Sequence, residues 1–188
     1  MIIVHEGLPR EASQVADVFG RVYGLSSLVV DKNLDSVFNP LTAFNGFWLS
    51  EERLWMSLQE EYKDKQVLVV TPRDIYTSNV SQDDDWVFGY AWANVMVAST
   101  ARMKRPDNKP SRRLEVPEDL YMRRLETLAV HEVGHSVCDA PHYQQAVWVN
   151  TRTGHEQRLG PHCNDNKCVM YEVVDIQAPP AEQGHLLL

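Results

Sequence analysis

The sequence predicts an α/β to α+β fold, a twisted mixed sheet backed by helices and followed by a small C-terminal part. Three observations predict it. Between residues 2 and 70, short β-branched runs alternate with helical patterns. Such strand–helix–strand–helix–strand order requires crossovers and a mostly parallel sheet. Two further strand patterns, Trp86 to Ala93 and Val95 to Ala98, lie close enough to form a hairpin or neighbouring strands. A long apolar helical pattern from residue 116 then precedes a hairpin pattern over residues 146–159. The chain reads as one domain, 1–188. Residues 1–137 would make an N-terminal subdomain of sheet and long helix, and 138–188 a small C-terminal subdomain.

Each element has its own signal. Ile2-Ile3-Val4 is a continuous β-branched run, the mark of a buried strand. Pro9 opens a helix in which Ala12, Val15, Ala16, Phe19 and Val22 recur at helical spacing, and Gly24 is its stop. Leu28-Val29-Val30 is the next strand, and residues 33–47 read as a connecting loop. Ser50 ahead of Glu51 and Glu52 starts a second helix, with Leu54, Leu58 and Tyr62 on its face. Gln66 to Val70 is the strongest strand pattern of all. Ser78 to Asp85 is polar and reads as a solvated loop, because its aspartates fit no calcium-loop spacing. Trp86 and Trp92, in the strand that follows, are expected in the core. Met103 to Arg113 is basic, contains proline and reads as a mobile loop.

Val116-Pro117-Glu118-Asp119 starts the long helix, with proline in the first turn and acids at its positive end. Apolar residues from Leu120 to Val137 fill more than one stripe, so the helix lies buried beneath a sheet. Gly134 in its interior costs about 1 kcal/mol against alanine. Close approach of a neighbouring strand backbone is the expected reason.

Composition narrows the function. The chain is 44% hydrophobic and carries a net charge of −8, which argues against nucleic acid or an anionic membrane as the main partner. No apolar run approaches the roughly 20 residues of a membrane span, and the N-terminus lacks a basic signal-peptide region. The expected location is cytoplasmic. In that compartment three cysteines read as thiols or metal ligands rather than disulfides.

The chemistry centres on His131-Glu132-Val133-Gly134-His135, an H-E-x-x-H motif near the end of the long helix. Residues four apart share a helix face, so both imidazoles reach one metal ion. The Glu132 carboxylate projects beside that face, where it can hold a metal-bound water and take its proton. Zinc catalysis needs a third protein ligand. His142 and His162 compete for the role, and His155 is a weaker choice because it falls inside the hairpin pattern. That hairpin comprises Ala146 to Val149, a turn at 151–154, and His155 to Leu159.

His131-Glu-x-x-His135 followed by His162-Cys163-x4-Cys168-Val169-Met170 resembles the archaemetzincins, a metzincin branch of zinc metallopeptidases. Val67 to Thr71, Asp74 to Tyr76, Val87 to Ala91 and Ser99 to Met103 resemble the family's sheet strands and the turn between them. The resemblance implies His131, His135 and His162 as ligands of a catalytic zinc and Glu132 as general base. It implies Met170 as the methionine of a turn beneath the metal. Three departures stand out. Cys138 occupies the position of the family's helix-ending glycine, and His162 lies 27 residues past His135, a gap the hairpin would close. His142 falls one residue later than the family's third histidine. The family's closing C-x-x-C is absent.

The family's second, structural zinc is held by four cysteines. Here Cys163 and Cys168 remain at the family spacing, and Cys138 with His142 would complete a set of three thiolates and one imidazole. Three unliganded thiols are the alternative. The expected activity is zinc-dependent hydrolysis of peptide bonds in a peptide or protein substrate, which would pair as an added strand with an edge such as Trp86 to Trp92. Two other readings stay open: a catalytically silent, zinc-stabilised binding or regulatory module, and a zinc hydrolase acting on a non-peptide amide. A monomer is assumed.

Overall fold

The protein is described here by a computed structural model that covers residues 1–40, 47–49, 51–76, 86–104, 116–137, 143–149, 156–163 and 168–170. The first strand, β1 (Ile2–His5), is buried throughout, with three apolar residues followed by His5. Pro9 pre-sets the first turn of α1 (Pro9–Tyr23), and Gly24 ends it in the left-handed conformation at φ +65°. Then come β2 (Leu28–Asp31), β3 (Phe38–Pro40), β4 (Phe47–Leu49) and α2 (Glu51–Gln59). Next in order are β5 (Val67–Thr71), β6 (Ile75–Tyr76), β7 (Trp86–Val87), β8 (Gly89–Trp92) and β9 (Val95–Ser99). The long helix α3 (Glu118–Val137) follows, then β10 (Tyr143–Val149) and β11 (Glu156–Cys163).

Five strands form the main sheet in the order β2-β1-β5-β9-β8. The first four are parallel, and β8 returns antiparallel to β9 through a tight turn at Ala93, φ +53°. The sheet is covered on both sides, which is why β1, β5 and β9 read as unbroken apolar runs rather than alternating ones. Ile3, Leu68, Val70, Met96 and Ala98 face α1 and α3. Ile2, Val4, Val67, Val69, Val95 and Val97 face α2 through Leu54 and Leu58, together with Leu34, Val37 and Phe38. Thus α1 lies beside α3 under one face, and α2 lies on the other.

Four differences from the sequence reading have physical causes. Residues 33–47 hold β3 and the start of β4, which join β6 and β7 in a second, four-stranded sheet in the order β3-β4-β6-β7. Strands of two or three residues are too short to show a period. The Trp86 to Ala93 run is broken at Phe88, so that β7 pairs with β6 in the small sheet and β8 with β9 in the large one. Trp92 is 41% exposed rather than in the core, because it ends the edge strand; the side chain of Trp86 lies outside the described residues. Within 103–113 only Met103 and Lys104 are described; they lie in a turn, as the loop reading has it, but Met103 is fully buried in the core. The polar stretch 78–85 lies outside the described residues. Among the described residues, no helix is long and apolar enough to cross a membrane.

A buried ion pair ties the sheets together. The Arg102 guanidinium donates to both Asp74 carboxylate oxygens at 2.7 Å and to the Tyr76 hydroxyl at 2.9 Å. Such a forked, satisfied pair holds the turn after β9 against β6.

Candidate metal centre

The last two turns of α3 carry the site. His131 and His135 sit one turn apart with their Nε2 atoms 3.2 Å from each other. His162, on β11, brings its ring to 5.2 Å from His131 and 4.7 Å from His135, centroid to centroid. One nitrogen from each of the three rings lies within 4.8 Å of the others. Three imidazoles converging from a helix and a strand are a donor set that suits zinc.

The tautomer of His131 follows from its neighbours. Its Nδ1 lies 2.7 Å from the Val169 carbonyl oxygen. A carbonyl only accepts, so Nδ1 carries the proton and the Nε2 lone pair faces the other two histidines. Metal-binding histidines are commonly oriented this way. Burial, above all, depresses the His131 pKa to about 3, so the ring is neutral at any ordinary pH. A neutral ring is what ligation requires.

Segment 168–170 is held in place from two sides. The Cys163 N–H donates to the Met170 carbonyl at 2.7 Å, tying the segment to the end of β11. Met170, 2% exposed, packs its sulfur where a side chain at position 134 would lie. A Cβ built on Gly134 would come within 2.1 Å of Met170 Sδ. The close approach expected at Gly134 is therefore to the Met170 side chain rather than to a strand backbone.

Glu132 is 6% exposed, and burial raises its pKa to about 8. Its carboxylate lies against β8, where a Cβ on Gly89 would come within 2.2 Å of Oε1. A carboxyl group buried this way costs stability, and such groups gather where chemistry is done.

Solved structures of known proteins share this architecture. One is the archaemetzincin of Methanopyrus kandleri, with a TM-score of 0.56 and 19% identity over 93% of this chain and 81% of that one. Another is a zinc-dependent peptidase from Methanocorpusculum labreanum, with a TM-score of 0.58 and 18% identity over 90% and 86% of the respective chains. The fold is archaemetzincin-like. No family model and no curated protein matches the sequence.

Within this archaemetzincin-like fold, His131, His135 and His162 come together, and Glu132 follows His131 on α3 with its carboxylate against Gly89. His162 was expected just after the hairpin, but β11 extends through it, with His162 opposite Gln144 on β10. Cys138, His142 and His155 lie outside the described residues. Cys163 is buried and Cys168 half-buried, and neither is in a disulfide. Two site residues escaped the sequence reading. Gly89 had a visible signal, a glycine inside a strand pattern, which marks close approach by another group. The Val169 carbonyl had none, since a backbone acceptor leaves no trace in residue type.

Proposed function

We propose that this chain is a zinc-dependent metallopeptidase. The observation that carries the reading is the convergence of His131, His135 and His162 with the Glu132 carboxyl group next to His131 on the same helix. The three imidazoles would hold the ion. Bound there, zinc supplies a Lewis acid that polarises a carbonyl and acidifies a coordinated water. Glu132 takes the proton of the attacking water and delivers it to the leaving amine. To accept that proton the carboxylate must be ionised, which the charge of bound zinc would favour against the burial that raises its pKa. The Val169 carbonyl keeps His131 in the tautomer that can bind metal.

Among the described residues β8 is an edge strand, and that edge offers a place for an extended peptide. Ser99 N–H donates to the Phe88 carbonyl, and hydrogen-bonded pairs alternate along an antiparallel ladder. Gly89 and Ala91 therefore turn their N–H and C=O groups away from β9, towards the edge. A substrate strand added there would run past Glu132. The same proposal includes a second, structural zinc on Cys138, His142, Cys163 and Cys168. It would fix the end of β11, and with it His162.

Metal content and peptide hydrolysis by Glu132→Ala and His162→Ala test the reading. Glu132→Ala should keep the catalytic zinc and lose hydrolysis by at least about 100-fold, the scale of a missing general base. His162→Ala should bind that zinc far more weakly. Full activity in Glu132→Ala would sink the general-base role, and undiminished zinc in His162→Ala would sink the ligand set. Hydrolysis of small amides without peptides would move the reading to the non-peptide class.

A further inference from the structure

Position 89 faces the site from the strand side, and the reaction as described above uses only its backbone. Gly89 pairs with Ala98 on β9, and Ala98 packs in the core layer shared with α3. Cross-strand partners share a face, so a side chain at 89 would point at α3. It would meet Glu132. A Cβ there would lie 2.2 Å from Oε1, 2.6 Å from Cδ and 2.9 Å from Cγ. All three atoms fall inside the closest approach that real Cβ atoms show. The collision involves the whole arm of Glu132 and not its tip alone, so a twist of the carboxylate would not relieve it.

The φ of Gly89 is not in the left-handed region, so the backbone does not demand glycine there. The demand comes from Glu132. We infer that Gly89 is a positioning residue: the space left by its missing side chain is the seat of the Glu132 carboxylate. Strand β8 thus sets where the carboxylate stands, and through its outward N–H and C=O the same residue offers the nearest rung for a substrate backbone. The distance from proton acceptor to substrate is then fixed within a single residue of one strand. This inference deepens the metallopeptidase reading and rests on it for its kinetic consequence alone.

The variant that tests it is Gly89→Ala. Because Phe88 and Tyr90, on either side of Gly89, stand at the hydrogen-bonded positions of the ladder with β9, the Glu132 arm is the part expected to yield. To restore ordinary contact, its carboxylate must move by about 1 Å. A misplacement of that size costs on the order of 100-fold in rate. Gly89→Ala should therefore keep its zinc, lower kcat about 100-fold and leave KM little changed. Movement of the strand instead would disturb the substrate rung and raise KM while sparing kcat. A crystal structure of zinc-loaded Gly89→Ala should show Glu132 displaced and β8 in place. An unmoved carboxylate, an unchanged kcat or a pure KM effect would each overturn the inference. If Gly89→Ala fails to fold, Gly89→Ala/Glu132→Ala decides: a folded double variant shows that residue 132 was the obstacle, and an unfolded one refutes it. If the wild-type protein cleaves no peptide, the metallopeptidase reading fails while the crystal structure still decides the seat.

Discussion

Glu132 shows how much the site asks of one side chain. In the folded, metal-free protein its pKa stands at about 8, and burial is the cause. The ordinary value is 4.5. Between these two values the folded chain holds a proton that the unfolded chain has released. The contribution of this group to stability is therefore full below about pH 4.5 and falls as pH rises through 8. Glu132→Gln removes the slope. After chelation, variant and wild type should unfold alike near pH 4, and at pH 9 the variant should be the more stable by up to about 5 kcal/mol. Urea unfolding at the two pH values checks this, and parallel pH profiles would show that burial is not what shifts the group. At this scale the sequence was informative where spacing does the work. The H-E-x-x-H pattern and the run from His162 to Met170 named the residues that the structure brings together. The seat at Gly89 was not legible, because a glycine records that space is needed but not which distant group fills it.

The element scale concerns how α3 meets segment 168–170. Gly134 is the contact. Alanine there would gain about 1 kcal/mol in helix propensity. Against this stands a Cβ at 2.1 Å from Met170 Sδ, in a side chain that is 2% exposed and has little room to yield. Overpacking of this kind costs about 1–3 kcal/mol, so the net effect of Gly134→Ala should be destabilising. Any shift of Met170 also moves Val169, whose carbonyl orients His131. Zinc affinity should fall too, within the 10- to 100-fold range of a lost orienting partner, roughly speaking. A competition titration with a zinc chelator and a urea midpoint measure the two effects. A more stable Gly134→Ala with unchanged affinity would refute the packing argument. The long elements, α1, α3, β1, β5 and β9, were legible because their apolar patterns persist over several turns or a full strand. The small sheet was not. Its strands run two or three residues, and the break at Phe88 that sends β7 and β8 to different sheets is a choice of partners, which no local pattern encodes.

Across the whole molecule, the candidate site sits where two parts of the chain meet. His131 and His135 belong to the helix packed under the main sheet, and His162 belongs to the hairpin of β10 and β11. The two parts have different internal support. Both faces of the main sheet are packed, and β1, β5 and β9 are buried along their full length. The hairpin is a two-stranded sheet, a structure of marginal stability by itself. Segment 168–170, tied to the end of β11 by the Cys163–Met170 hydrogen bond, links it to α3 through the His131–Val169 hydrogen bond and the packing of Met170 against Gly134. A zinc ion held by histidines from both sides would add its binding free energy to that junction, about 4 kcal/mol at a free concentration 1,000 times Kd. Chelation should then loosen the hairpin before it loosens the sheet. Measured by hydrogen exchange, amides of Tyr143 to Val149 and Glu156 to Cys163 should lose protection when zinc is removed, while those of Val67 to Thr71 keep theirs. Restoring zinc should reverse the change in wild type but not in His162→Ala, which lacks the ligand proposed on the hairpin. Equal loosening of both sheets would mean that the chain opens as one cooperative unit, and that residues 138–188 do not behave as a subdomain fastened by metal.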